Sequence, residues 1–154
     1  MEKLVVVKIG GRVIDDKEAL DGFLSQFAAL EHAKILVHGG GNIASQISEK
    51  LEITPQLTDG RRITDEQSLQ VVTMVYGGLI NKQLVAQLQG ARCNALGLTG
   101  ADGNVVLAKK RPVQQLDYGF VGDVNVEAVD HRLLKQLIES GICPVMAALT
   151  HDGE

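Results

Sequence analysis

The chain has 154 residues, 45% of them apolar, 22% charged and 3% aromatic, with a formal net charge of −4. This composition suits one globular domain with a sizeable core, and it excludes a disordered polymer or a disulfide-stapled scaffold. The negative balance repels nucleic acid and acidic membranes, so an anionic ligand has to be met by local positive groups.

The opening "MEKLVVVKIGG" carries one short apolar run, Leu4 to Val7, too brief for a signal-peptide core or a membrane span, and a cytoplasmic protein is expected. "KLVVVKI" is continuous and β-branched, as in a strand covered on both faces. "DDKEALDGFLSQFAAL" then places Leu20, Phe23, Leu24 and Phe27 at helical spacing, and "KILV" reads as the next buried strand. In "NIASQISEKL", Ile43, Ile47 and Leu51 recur every fourth residue, with Asn42 in the capping position.

"QLTDGRRIT" has an Asp59-Gly60 turn between β-prone arms and reads as a hairpin. The longest element follows. "TDEQSLQVVTMVYGGLINKQLVAQLQG" carries Leu69, Val72, Tyr76, Leu79 or Ile80, Leu84 and Leu88 at helical spacing, with Thr64 or Asp65 as cap and Gly90 as stop. Some 25 residues make a rod about 37 Å long. Gly77-Gly78 at its middle disfavours helix by about 1 kcal/mol each against alanine, so close packing is expected there.

Beyond it come an "NALGL" strand, a "GADGN" turn, a "VVLAKK" strand, a "GFVGDVNV" hairpin arm, a "VDHRLLKQLIES" helix stopped by Gly141, and a "CPVMAAL" strand. Cys93 and Cys143 match no metal or redox spacing and are expected to be reduced, partly buried thiols. Asp102, Asp123 and Asp130 read as turn or cap residues, and no metal site is expected from them. The alternation predicts an α/β domain: a mainly parallel open sheet sandwiched by helices, with β-hairpin insertions.

"ILVHGGGNIASQI" places three glycines between a strand and a helix, where successive N–H groups and the helix dipole form an anion site. "GGGNIA" formally matches a dinucleotide fingerprint, but Asp59 lies in a turn rather than at a strand end. "HGGG" matches an oxyanion-hole motif, yet the chain has no G-x-S-x-G elbow. A phosphoryl cradle is the third reading, and "VVKIGG" supports it by placing Lys8 and Gly10-Gly11 where the first strand leaves the sheet. Adjacent parallel strands would bring both loops to one carboxyl edge. By itself Lys8 could be a solvated strand-end lysine, and Arg61 and Arg62 a solvated hairpin arm. His38 reads as structural.

"KIGG", "VHGGGN", "DGRRITD", "MVYGGLINKQLV", "ALGLTGADG", "DYGFVGDV" and "SGICPVMAAL", in this order, resemble the amino acid kinase superfamily, most closely its N-acetylglutamate kinase branch. The resemblance implies a sheet sandwich and transfer of the γ-phosphoryl of ATP, with Mg2+, to the side-chain carboxylate of an N-acylated glutamate in arginine biosynthesis. It implies that Lys8 touches the transferred phosphoryl, that Gly10, Gly11, Gly40 and Gly41 donate backbone N–H groups around it, and that Arg62 grips the α-carboxylate of the substrate. The family's second lysine, its organising aspartate and its ATP pocket are expected beyond Glu154. Residues 1–154 are thus expected to be an N-terminal acyl-amino-acid-binding and dimerisation domain, inactive alone. Arg61 and Asn42-Ile43 depart from the family pattern near the acyl pocket, which leaves acetyl, succinyl or another acyl group open. Another amino acid kinase acting on glutamate, aspartate or carbamate, or a catalytically silent amino-acid-binding module, remain alternatives.

The resemblance also implies a homodimer through the helix near residues 65–89. Val71, Val75 and Leu79 run beside Leu69, Val72, Tyr76 and Ile80, so one face could cover the sheet and the other a partner. The alternative is that Gly77-Gly78 faces the chain's own sheet.

Overall fold

The computed structural model describes residues 3–58 and 61–154. Four parallel strands form the central sheet in the order β1-β2-β8-β5: β1 (Val5–Ile9), β2 (Lys34–His38), β5 (Ala95–Leu98) and β8 (Cys143–Ala147). The helices on one face are α1 (Gly11–Asp15), α2 (Lys17–Ala28), α3 (Gly41–Lys50), α4 (Glu66–Val72) and α5 (Asn81–Gly90), and α6 (His131–Glu139) lies on the other. Two small antiparallel pairs stand apart from the sheet: β3 (Gln56–Thr58) with β4 (Arg61–Ile63), and β6 (Lys109–Lys110) with β7 (Gly122–Asp123). The expected Asp59-Gly60 turn lies outside the described residues.

Strand β8 is buried at all five positions and β2 buries Ile35, Leu36 and His38, as expected of central strands. Strand β1 differs from its sequence reading. It is an edge strand, and Val6 is 58% exposed, because α6 covers Ile35, Leu98 and Met146 on β2, β5 and β8 but does not reach β1. Leu24 and Phe27 of α2 and Leu84 and Leu88 of α5 fill the opposite layer, each contributing about 1.5–3 kcal/mol by burial.

Local chemistry sets the helix ends. Asp16 is extended and its carboxylate accepts from Ala19 N at 3.0 Å, so it ends the short helix α1, absent from the sequence reading, and begins α2. Asp65 caps α4 by accepting from Ser68 N at 2.8 Å. At α3 the expected cap is corrected: Gly40 occupies the cap position and Asn42 lies inside the helix, because the chain turns at the glycines themselves. Gly141, at φ 72°, closes α6 with Gly141 N donating to Ile138 O and Ile142 N to Leu137 O, both at 2.9 Å, a left-handed cap that favours glycine.

The long rod is continuous from Glu66 to Gly90, but Thr73–Ile80 is wound as π-helix. The reason is visible in the burial pattern. Val71 and Val75 point inward, then Ile80, Leu84 and Leu88, so one step of five interrupts the steps of four and a wider turn absorbs it. Val71 and Val75 lie on the face that covers the sheet, and the two glycines part company: a Cβ on Gly77 would lie 3.3 Å from Leu149 Cδ1 and 3.4 Å from Thr99 Cγ2, the close packing expected there, whereas one on Gly78 would meet nothing within 4 Å. Thr73, Met74, Gly78 and Leu79 are the exposed members of this segment.

"VVLAKK" is a strand only at Lys109–Lys110. Val106 and Leu107 make single bridges to Val129 and His151, following Val105, which is helical at the end of a short 3-10 turn and fully buried. Cys93 and Cys143, distant in sequence, are neighbours where β5 and β8 begin; burial, reinforced by Cys93, pushes the Cys143 thiol up to about 12, which keeps it protonated. No described helix is long and apolar enough to cross a membrane.

Candidate functional site

Strand register builds the site. Ile9 pairs with His38 across β1 and β2, so Gly10 and Gly39 leave the sheet side by side at its carboxyl edge. Gly10 is the cap of α1 and Gly40 the cap of α3, and neither helix has a side-chain cap; apart from Val13 N, which donates to Gly10 O at 3.2 Å, the first-turn N–H groups remain available to an anion. Lys8 stands on the exposed face of β1 and curls over the first loop: a Cβ on Gly10 would lie 3.7 Å from its Nζ. Among the described residues Lys8 makes no ion pair.

The second loop is held from below. A Cβ on Gly40 would overlap Cδ1 and Cε1 of the Tyr76 ring and lie 2.9 Å from Cζ, so the backbone rests directly against the ring supplied by the π segment. His38, fully buried, bonds to the Gly39 carbonyl through Nδ1 at 2.9 Å and to Asn81 Nδ2 through Nε2 at 3.0 Å. Burial lowers the imidazole below its ordinary 6.5, partly opposed by the Gly39 bond, and favours the neutral ring.

Arg62 reaches the same region from β4. Its Nη2 donates to Ser45 Oγ at 2.7 Å, and Ser45 lies one helical turn after Gly41 on α3. Its Nη1 is buried without an acceptor among the described residues. A buried guanidinium nitrogen with no partner loses its hydration uncompensated, and a ligand carboxylate would satisfy it. Arg61, next along the strand, turns instead into a cavity of about 380 Å³ with Thr58, Arg111, Tyr118 and Asp123. Arg111 there is held by Asp123, with Nη2 2.6 Å from Oδ1.

Structure thus brings Lys8, Gly10, Gly11, Gly40 and Gly41 to one open edge and sets Arg62 beside it, while Arg61 is directed elsewhere. Ser45, Tyr76 and Asn81 were missed by sequence reasoning. Ser45 follows Gly41 by four residues and could have been found as its neighbour on the helix face; nothing local marks the other two. Asp102 accepts from Thr99 N at 2.6 Å and Asp130 caps α6, where the Arg132 bonds hold its carboxyl at about 2. Among the described residues no cluster of His, Cys, Asp and Glu could hold a metal ion.

The sequence pattern of the amino acid kinase family matches residues 3–154. The chain belongs to this family. It is similar to the acetylglutamate kinase of Cytophaga hutchinsonii, with 57% identity over 99% of the chain and 58% of the relative, and to that of Bacteroides fragilis, with 56% identity over the same shares. The chain therefore spans a little over half the length of these relatives. Among solved structures, the smu.665 protein of Streptococcus mutans superposes with a TM-score of 0.78 at 23% identity, over 94% of this chain and 58% of that one. An N-acetylglutamate synthase from Neisseria gonorrhoeae does so with 0.75 at 22%, over 96% and 34%. These two likenesses establish the shared fold, a parallel sheet flanked by helices.

Proposed function

We propose that the protein is an acylglutamate kinase, moving the γ-phosphoryl of ATP to the side-chain carboxylate of N-acetyl-L-glutamate, or another N-acylglutamate, in arginine biosynthesis. Residues 1–154 are its acyl-amino-acid-binding and dimer-forming part, in a cytoplasmic enzyme. The observation that carries the reading is the pairing of two glycine loops at one sheet edge, with an ammonium over the first and a half-satisfied guanidinium beside the second. Relatives identical at more than half of the aligned positions carry the name acetylglutamate kinase.

The chemistry agrees with this equipment. A glutamyl carboxylate, with a pKa of about 4.3, is already ionised at neutral pH and needs no base. Its approach to a phosphoryl oxygen about 4 Å away is opposed by about 4 kcal/mol at an effective dielectric near 20. Lys8 and the N–H groups of Gly10, Gly11, Gly40 and Gly41 offset that repulsion as charge concentrates on the transferred group. Arg62 holds the α-carboxylate through the nitrogen left unpaired. Mg2+ enters as MgATP, and the nucleotide is bound chiefly by residues outside this chain.

Titrating the 154-residue chain with N-acetyl-L-glutamate while following ADP release should give weak binding and no turnover. Acyl-phosphate formation by this chain alone would overturn the division of labour. In the complete enzyme Lys8→Ala should lower kcat far more than affinity. The dimer would form across the exposed face Met74, Gly78 and Leu79; sedimentation of Gly78→Leu or Leu79→Glu should yield folded monomers, and an intact dimer would place the interface elsewhere.

A further inference from the structure

Asn81 is 1% exposed at the junction of the π segment and α5, and its side chain makes three polar contacts, with groups that leave its amide one orientation. The backbone carbonyl of Val145 can only accept, so the atom 2.9 Å from it is Nδ2. Lys82 Nζ can only donate, so the atom 3.2 Å from it is Oδ1. The second hydrogen of Nδ2 then points at His38 Nε2, 3.0 Å away, which must accept it. A neutral imidazole that accepts at Nε2 carries its proton on Nδ1, and this donates to the Gly39 carbonyl at 2.9 Å.

We propose that His38 is a positioning residue for the second glycine loop, with Asn81 setting its tautomer: the Nδ1–H bond turns the Gly39 carbonyl inward and so aims the Gly40 N–H at the open sheet edge. The geometric step follows from the planar trans peptide, in which a carbonyl and the next N–H point in opposite directions. Gly40 N–H has no acceptor among the described residues. The same network constrains β5, where a Cβ on Gly97 would overlap Asn81 Oδ1 and lie 2.8 Å from Lys82 Nζ. The chain thus transmits a fixed donor direction from Val145 and Lys82 to the loop, without His38 touching a ligand.

This inference rests on the proposed function for the identity of the ligand, and its test separates the two. Nitrogen-15 NMR of the imidazole in the unsubstituted chain should show His38 neutral and protonated at Nδ1; a proton on Nε2 would overturn the proposal whether or not any variant folds. Two substitutions then divide the ring. In His38→Asn the side-chain amide replaces Nδ1 and can still donate to Gly39, whereas in His38→Gln it replaces Nε2 and cannot. The Gly40 amide resonance should stay in place in His38→Asn and move in His38→Gln. Affinity for N-acetyl-L-glutamate should be about tenfold weaker in His38→Gln than in His38→Asn, the worth of one oriented hydrogen bond. Lost packing alone predicts the reverse order, since asparagine leaves the larger void, and that order would overturn the proposal. If the unsubstituted chain fails to bind N-acetyl-L-glutamate, the assigned ligand is wrong, while the tautomer and the Gly40 resonance still decide the positioning.

Discussion

Gly40→Ala isolates the contact on which the second loop rests. The three atoms nearest to an added Cβ all belong to the Tyr76 ring, two in overlap and Cζ at 2.9 Å. Gly40 itself has φ −138° and ψ −1°, outside the left-handed region, so the obstacle is the ring. Tyr76 is half-buried and packed against the core, which limits how far its ring can move aside. Forcing a methyl group into such a contact costs about 1–3 kcal/mol, which lowers Tm by about 2–10 °C in a chain of this size. Tyr76→Ala removes every one of the three clashing atoms. In that background Gly40→Ala should be nearly neutral, giving a coupling of about 1–3 kcal/mol in a double-mutant cycle. Urea unfolding of the four proteins, followed by circular dichroism, measures it. If Gly40→Ala were equally destabilising with and without the tyrosine ring, Tyr76 would not be the support of the loop.

Arg62→Met should separate stability from binding: it removes a buried nitrogen without a partner, so unfolding free energy should stay level or rise by about 1 kcal/mol, while N-acylglutamate affinity falls at least about tenfold in calorimetry. A loss of more than about 2 kcal/mol would mean that the Ser45 bond makes Arg62 structural. Stability should also depend on His38 and pH. Its folded pKa lies below the ordinary 6.5, so the unfolded chain binds the extra proton; the contribution is complete above pH 6.5 and is lost as pH falls below that value, by at most about 1.4 kcal/mol per pH unit. Comparing His38→Asn with the unsubstituted chain between about pH 7.5 and 5.5 isolates this slope, and parallel curves would refute it. Asp65→Ala should lower stability by about 1 kcal/mol through loss of the bond to Ser68 N, and chemical denaturation with no change in midpoint would contradict the cap.

Strand and helix alternation was legible in the chain because it depends on near neighbours: β-branched runs for β1 and β2, fourth-residue apolar spacing for α2 and α3, and glycine at the end of α6. The glycine loops were legible for the same reason. Bare backbone between a strand and a helix is a local feature, and parallel pairing of β1 with β2 then sets the two loops side by side. Lys8 and Arg62 were singled out as candidates chiefly through the family resemblance of the motifs around them.

What the sequence did not reveal depends on partners far along the chain. The cap of α3 was misread because asparagine's intrinsic preference yields when the turn is made by glycines already in place. Val72, Ile80, Leu84 and Leu88 were read on one apolar stripe and are buried, but the wide turn in Thr73–Ile80, which lets Val71 and Val75 share that inner face, leaves no mark on a regular period. His38 meets Asn81 across 43 positions and Asn81 meets Val145 across 64, and Arg62 meets Ser45 across 17. By itself the sequence determined the main strands and helices and the chemistry of the exposed edge, since backbone conformation and side-chain charge depend mostly on a residue and its near neighbours. Only the tertiary structure decided how that edge is aimed, because a hydrogen bond has direction and its direction exists only once both partners are packed.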